Sequence, residues 1–171
     1  MLEDVNKIIQ IGSGIQLIRV AATQYTLGNR ALELFLSGCK ANPHCTNCHN
    51  PELWSYAIGE VYDEKYKTQL INKILDSPNL IQRIWIVGGE PLDQDHQELY
   101  TLCQDMKNTG TELWLFTRYD LDEVPEDFKF ICDYIKCGRY LPDQCGIHEE
   151  YEVNLASDNQ HIYKKGVDYA V

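Results

Sequence analysis

Three cysteines lie within ten positions of one another, at Cys39, Cys45 and Cys48, with the spacing C-x5-C-x2-C. They directly follow the apolar run 32–36, which predicts a buried strand. Thiolates clustered in a loop at a strand end are typical of a metal site. Three protein ligands leave a four-coordinate metal centre with one open coordination position, and such an open position is where chemistry takes place. A 4Fe-4S cluster held by three thiolates would keep one iron free in the same way.

A structural zinc ion is the alternative interpretation of this loop, with His44 or His49 as the fourth ligand. Each histidine is adjacent in sequence to one of the cysteines, and such neighbours would strain a tetrahedral site. A second Cys-x2-Cys or His-x3-His pair, the usual partner in a zinc site, does not follow in the sequence. The spacing alone therefore leaves both an iron–sulfur cluster and zinc open.

The composition of the 171 residues, with 44% hydrophobic and 24% charged side chains, is that of a single globular domain spanning 1–171. A formal net charge of −11 argues against nucleic-acid binding and against an anionic membrane surface. The chain shows no signal peptide, and no stretch approaches the ~20 apolar residues of a membrane span. Seven cysteines with three in one cluster favour a reducing compartment. We therefore expect a cytoplasmic protein with no nucleic-acid or membrane partner.

Hydrophobic periodicity predicts strands that alternate with helices. The predicted strands are 15–20, 32–36, 83–87, 113–117, 134–136 and 162–163. The predicted helices are 64–75, a second that carries 99–106 and ends at Gly110, and a weaker one at 121–130 that Pro125 damages. This alternation indicates βαβ units and a parallel sheet, and hence an α/β fold.

Three polar segments follow predicted strands and should therefore meet at one edge of the sheet. They are the cysteine loop, Gly88-Gly89-Glu90 and Thr117-Arg118-Tyr119, each at the carboxyl end of a predicted strand. The two glycines let a ligand approach the backbone closely, and the carboxylate of Glu90 can hold an ammonium group. Taken alone, the same glycines and acid also fit an ordinary strand-to-helix turn with a solvated carboxylate.

With these motifs in order, the sequence resembles the radical S-adenosylmethionine enzymes and, among them, the activating proteins of anaerobic ribonucleoside-triphosphate reductases. The matching segments are 37–39, 45–54, 88–92, 113–117 with Tyr119, and 156–160. Two features depart from the family pattern. The family usually has C-x3-C-x2-C, and the segment 26–30 lacks the usual Gly-x-Gly.

The resemblance implies a 4Fe-4S cluster on Cys39, Cys45 and Cys48, with S-adenosylmethionine chelating the free iron. It implies cofactor contacts from a set of polar and glycine residues: Gly88, Gly89, Glu90, Thr117, Asn159 and Gln160. The reduced cluster would cleave the cofactor to a 5′-deoxyadenosyl radical, which removes hydrogen from a glycine of a large glycyl radical subunit of anaerobic ribonucleotide reductase. A low-potential donor such as flavodoxin or ferredoxin would supply the electron.

The fold that the resemblance implies is a partial, open parallel β/α barrel of the radical SAM type. The chain is too short for a complete (β/α)8 barrel, which needs about 250 residues, and an open side suits a macromolecular substrate. The alternatives are a radical SAM enzyme for another peptide or small molecule, and a zinc-stabilised binding module without catalysis.

The other aromatic residues and cysteines receive simpler interpretations. Trp85 and Trp114 lie inside predicted strands and are expected in the core, whereas Trp54 is expected to support the cysteine loop. Cys103 falls on the apolar face of a predicted helix. The remaining cysteines match no compact ligand pattern, although a second metal site or a redox pair remains an alternative for them: Cys132, Cys137 and Cys145.

Overall fold

The computed structural model describes residues 16–171, in which strands and helices alternate along the chain. The strands are β1 (Arg19–Thr26), β2 (Ala31–Leu36), β3 (Glu60–Val61), β4 (Arg83–Gly88), β5 (Glu112–Phe116), β6 (Tyr134–Cys137), β7 (Cys145–Glu150), β8 (Val153–Ser157) and β9 (His161–Lys164). The helices are α1 (Glu64–Leu75), α2 (His96–Lys107) and α3 (Glu126–Ile131). None of these three helices has the length and apolar character that crossing a membrane requires.

Seven of the strands form one sheet in the order β3-β1-β2-β4-β5-β6-β9, and β7 pairs with β8 in a separate two-stranded sheet. The four central strands β2, β4, β5 and β6 are parallel. Strands β1, β3 and β9 join the sheet in antiparallel fashion at its two sides. The chain is thus a mixed α/β protein with a mostly parallel sheet, and the partial barrel stays a prediction.

Two of the three helices, α1 and α2, begin at side-chain caps. Asp63 accepts a 2.9 Å hydrogen bond from the Tyr66 N–H and starts α1. Asp95 accepts one of 3.1 Å from the Glu98 N–H and starts α2. Each cap satisfies a backbone donor that the first helical turn leaves unpaired. The predicted range of α1 agrees with the structure residue for residue.

Two of the predicted elements are wrong in position. The first strand was expected at 15–20, but β1 begins at Arg19 and runs to Thr26, and Ile15 lies outside the described residues. The carboxyl-terminal half of β1 is polar and half-exposed. The strand is therefore defined by its antiparallel pairing with β2 and not by a hydrophobic pattern. The helix expected at 121–130 begins only at Glu126, because Pro125 can cap a helix but cannot continue one.

The central strands are buried on both faces, as their near-continuous apolar runs predict. In β4, Ile84 and Ile86 face the helices, whereas Trp85 faces the opposite side. The helix side holds the larger core, which includes Leu70, Ile74, Leu99, Leu102, Met106, Phe128 and Ile131. On the other side, Trp85 and Trp114 pack with residues of β8 and β9. Both tryptophans are therefore core residues, as the sequence predicts.

Candidate metal centre and its cavity

The cysteine loop begins at the carboxyl end of β2 and is fastened to the segment that follows it. The Gly38 N–H donates to the Leu53 carbonyl at 2.8 Å, and the Cys39 N–H donates to the Trp54 carbonyl at 3.3 Å. The rings of His44 and Trp54 stack with centroids 4.0 Å apart and an interplanar angle of 11°. Trp54 therefore supports the loop as predicted. His44 Nε2 lies 3.3 Å from the Cys39 carbonyl oxygen, so this ring is already engaged by the loop itself.

The three thiols of the loop are not arranged as a preformed site for a single zinc ion. Two sulfurs bound to one zinc ion lie at most about 4.6 Å apart, since a Zn–S bond is about 2.3 Å long. In the described part of the chain, two groups of three or more potential ligand atoms lie within 4.8 Å of one another, and neither includes a cysteine. A cluster instead binds each thiolate to a different iron, which requires a wider separation. The three thiols thus have the donor chemistry for a cluster.

The three cysteines line a cavity of about 580 Å³ at the carboxyl ends of the parallel strands. Most of the predicted cofactor residues line it as well: Gly88, Gly89, Glu90, Thr117 and Gln160. Asn159 does not belong to its lining. The structure therefore brings the cysteine loop and the ends of β4 and β5 together, as the parallel arrangement predicts.

The glycines at the end of β4 allow close approach of β2 and of the residues that flank the cysteine loop. Gly88 has φ +122°, and an added Cβ would lie 2.3 Å from the Leu36 backbone nitrogen. A Cβ at Gly89 would lie 2.4 Å from the Gly38 carbonyl oxygen and 2.6 Å from that of Leu53. The sequence suggests that a large side chain at Gly89 would block a ligand and spare the fold. That expectation is wrong, because the carbonyl groups of Gly38 and Leu53 fill the space beside Gly89.

Glu90 is a buried carboxylate, 1% exposed, in the wall of the cavity. Its Oε1 accepts hydrogen bonds from Thr117 Oγ1 at 2.6 Å and from the Leu92 N–H at 3.0 Å. Its Oε2 accepts one of 2.8 Å from the Arg118 N–H. Burial raises the pKa of Glu90 to about 7, although these three bonds oppose the shift. A carboxylate has about four acceptor positions, so one remains for a ligand.

Asp93 organises the same wall, and the sequence alone did not single it out. Its carboxylate accepts hydrogen bonds from the Lys40 N–H at 2.6 Å, from Tyr119 Oη at 2.6 Å and from Arg118 Nη2 at 3.1 Å. It therefore links the cysteine loop to the segment after β5. The only sequence signal is an acid three residues after Glu90, which looks the same as a solvated acid at a turn.

Lys136 is a second residue of the cavity wall that the sequence alone did not single out. It belongs to β6 and lines the cavity, and its Nζ donates a 3.1 Å hydrogen bond to the Gly138 carbonyl. Burial lowers its pKa, and the nearby Glu90 opposes that shift. Within residues 16–171 no other hydrogen bond or ion pair of this ammonium is found, so two of its three donors remain for a ligand. A lysine that interrupts an apolar strand at its carboxyl end was the available signal.

The two late polar residues have different surroundings. The Gln160 Oε1 accepts hydrogen bonds from the Ala156 and Ser157 N–H groups at 3.0 and 3.2 Å, and its Nε2 donates to the Gly138 carbonyl at 3.2 Å. Asn159 Nδ2 donates to the Arg139 carbonyl at 2.8 Å, while its Oδ1 is buried without a partner. Gln160 thus holds the cavity wall together, and a cofactor contact from Asn159 stays a prediction.

The remaining cysteines do not gather at one place. Cys103 and Cys132 are fully buried in the helix-side core, where the neighbouring Cys132 and burial raise the pKa of the Cys103 thiol. Cys137 is buried in the same core. Cys145 is exposed and lines the cavity of the cysteine loop. The core placement predicted for Cys103 is confirmed.

Fold and site together define an α/β protein with three clustered cysteines beside a cavity. A family model described as a 4Fe-4S single cluster domain matches residues 27–162. Two relatives named anaerobic ribonucleoside-triphosphate reductase-activating protein come from Pasteurella multocida and Haemophilus influenzae. The first is 32% identical over 141 residues, covering 77% of this chain and 85% of its own length. The second is 30% identical over 117 residues, covering 65% of this chain and 74% of its own length.

A relative of the same name from Escherichia coli K12 is 29% identical over 116 residues, which cover 64% of this chain and 74% of its own length. The chain therefore belongs to the 4Fe-4S single cluster domain family and, within it, to the relatives of the anaerobic ribonucleoside-triphosphate reductase-activating proteins.

Proposed function

We propose that this chain is an activating enzyme that uses a 4Fe-4S cluster and S-adenosylmethionine to install a glycyl radical on the large subunit of an anaerobic ribonucleotide reductase. The observation that carries the proposal is that Cys39, Cys45 and Cys48 line one cavity with Gly88-Gly89-Glu90. The names of the relatives support the choice of the target. A protein of this kind would work in the cytoplasm.

The three cysteine thiolates would hold the cluster and leave one of its irons without a protein ligand. When bound, the reduced cluster and S-adenosylmethionine supply one-electron chemistry that ends in hydrogen abstraction from a substrate. The role of the protein is to fix the loop, and the hydrogen bonds from Gly38 and Cys39 to the segment at Leu53 and Trp54 do so.

The walls of the cavity offer one anion and cationic donors for the amino-acid end of the cofactor. Glu90 keeps one acceptor position, which suits the ammonium group. Lys136 keeps two donors, which suit the carboxylate. Arg118 also lines the cavity; its Nη2 is paired with Asp93 at 3.1 Å, whereas its buried Nε has no hydrogen-bond partner among the described residues. Lys136 and the Arg118 Nε are therefore the cationic donors available to a ligand in the described part of the wall.

Apolar side chains at the strand ends would keep water away from the reacting atoms. Phe35, Val87 and Phe116 belong to neighbouring parallel strands and line the same cavity. A dry site strengthens the electrostatic contacts of Glu90 and Lys136 and prevents side reactions. An incoming loop of the large subunit would complete the enclosure from the open side.

The overall reaction balances with one external electron. One electron from a low-potential donor such as flavodoxin or ferredoxin, one S-adenosylmethionine and one glycine Cα–H are consumed. Methionine, 5′-deoxyadenosine and a glycyl radical are formed. The carbon–sulfur bond of the cofactor breaks, and the glycine hydrogen ends on 5′-deoxyadenosine.

Cofactor cleavage under anaerobic conditions tests the proposal. Reconstituted protein with a strong reductant should convert S-adenosylmethionine to methionine and 5′-deoxyadenosine, and Cys45→Ala should abolish this conversion. Cys103→Ala is the matched control, because this thiol lies in the core away from the cavity. If the protein binds a full cluster and yet cleaves no cofactor, the proposed chemistry is wrong.

A further inference from the structure

We propose a second metal site, formed by His148, Glu150 and His161, that binds a divalent first-row transition metal ion such as Zn²⁺. None of the three residues lines the cavity of the cysteine loop. Two imidazoles and one carboxylate are a donor set that such ions prefer. The inference goes beyond the proposed function and does not depend on it.

The backbone places these side chains together. His148 and Glu150 are two residues apart in β7 and therefore point to the same face of that strand. His161 is the first residue of β9 in the large sheet. The site thus joins the two-stranded sheet to the edge of the seven-stranded one.

The ligand atoms have distances that suit a common ion. Glu150 Oε1 lies 2.8 Å from His161 Nδ1 and 3.5 Å from His148 Nε2. The three ligand atoms all lie within 4.8 Å of one another. With bonds of about 2.0–2.2 Å to each ligand, neighbouring donor atoms on one ion lie roughly 3–3.5 Å apart. Only small side-chain shifts would be needed to bind an ion.

The surroundings of the site hold the Glu150 carboxylate and leave room for a further ligand of the ion on one side. Glu150 Oε2 accepts a 2.6 Å hydrogen bond from the Ile162 N–H, which orients Oε1 toward the two rings. Glu150 and His161 also line a second cavity of about 540 Å³, together with Asp168. An ion with three protein ligands would have its open position toward this cavity. At His148, the ion would replace the proton that Nε2 shares with the Gln160 carbonyl at 3.1 Å.

An ordinary ion pair elsewhere in the chain provides a comparison. His96 Nε2 lies 2.6 Å from Asp127 Oδ2, but only one imidazole meets that carboxylate. At Glu150, two imidazoles approach the same carboxylate oxygen atom, although a single imidazole is enough to form an ion pair. The second imidazole is the feature that indicates a metal ion.

A bound ion would fasten one wall of the cavity of the cysteine loop. Strand β7 carries the site on one face, and its residues Cys145 and Ile147 line the cavity of the cysteine loop. Fixing β7 to β9 through His148, Glu150 and His161 would hold these two residues in place at the cavity mouth.

Metal analysis of the cluster-loaded protein tests the inference. After equilibrium dialysis against Zn²⁺ and counting of zinc and iron, the Cys145→Ala protein should retain one zinc per chain with unchanged iron. This background removes the exposed thiol as a competing ligand. His148→Gln and Glu150→Gln should each weaken zinc binding at least about 10-fold, the lower end of what loss of a supporting residue costs. His96→Gln should not.

Zinc should also raise the melting temperature of the Cys145→Ala protein and of its His96→Gln variant, and not that of Glu150→Gln. Unfolded variants would be recognised in the same melts. An absence of retained zinc, or equal retention with and without Glu150, would show that the three residues form an ion-pair cluster only.

Discussion

The hydroxyl of Thr117 donates a 2.6 Å hydrogen bond to Glu90 Oε1, and both side chains are buried. This bond ties the residue after β5 to the turn after β4. The Arg118 N–H adds a second bond to the other carboxylate oxygen at 2.8 Å. The acid is thus fixed before any ligand binds, which is the preorganisation that a binding site requires.

The raised pKa of Glu90 should make stability depend on pH. Because burial raises this pKa from its usual value near 4.5 to about 7, the folded protein holds a proton that the unfolded chain releases. The contribution is fully present below the unfolded pKa and is lost as the pH rises through 7. The free energy of unfolding measured in urea should fall from pH 5 through pH 6 to pH 7 because of this group. Glu90→Gln should make this fall smaller. An identical pH slope in both proteins would contradict the assignment.

The cluster should depend on three of the seven cysteines. Replacing Cys39, Cys45 or Cys48 by Ala should lower the iron content of anaerobically reconstituted protein, because in the proposed cluster each thiolate would bind a separate iron. Cys103→Ala should keep its iron, since that side chain packs in the core. Iron and sulfide analysis measures both. A full cluster in a variant that lacks all three thiols, or stoichiometric zinc in the native protein at this loop, would refute the assignment.

Gly89→Ala should damage the fold as well as the site. The added methyl would meet the carbonyl oxygens of Gly38 and Leu53, and overpacking against backbone typically costs about 1–3 kcal/mol. Gly28→Ala is the matched control, because no atom lies within 4 Å of its added Cβ. Denaturant unfolding of both variants gives the comparison. Equal stabilities would mean that the cysteine loop does not pack on Gly89 as described.

Lys136→Met should weaken the binding of S-adenosylmethionine by roughly 10-fold or more, since a hydrogen bond to a charged group contributes about 1.5–3 kcal/mol. Binding of 5′-methylthioadenosine, which has no carboxylate, should change little. Lys73→Met on the exposed side of α1 is the control for a lost charge. Calorimetry of the three proteins with both ligands measures the effect. An equal loss of affinity for both ligands would show that Lys136 supports the cavity wall and does not bind the carboxylate of S-adenosylmethionine.

Much of the site could be predicted because parallel strands end at one edge of the sheet. The cysteine loop and Gly88-Gly89-Glu90 follow β2 and β4, so periodicity alone brought them together. Asp93 and Lys136 could not be recognised, because their roles depend on contacts between segments far apart in sequence. The Asp93 carboxylate bonds to Lys40, 53 residues earlier, and no local pattern records such a contact.

The two-stranded sheet escaped prediction for a different reason. Strand β7 is exposed at every second residue and its remaining side chains are half-buried, so its sequence lacks an apolar face. Strand β8 does alternate between buried and exposed residues, a signal that is present in the sequence. Pairing between the two strands, rather than the propensity of either, accounts for this sheet.

Electron paramagnetic resonance of the activated partner tests the central claim most directly. The reconstituted protein, an anaerobic ribonucleotide reductase large subunit, S-adenosylmethionine and a low-potential reductant are combined without oxygen. We expect a stable doublet signal of a glycyl radical on the large subunit, and no signal with the Cys45→Ala protein. Consumption of the cofactor without a glycyl radical on the large subunit would contradict the proposed function.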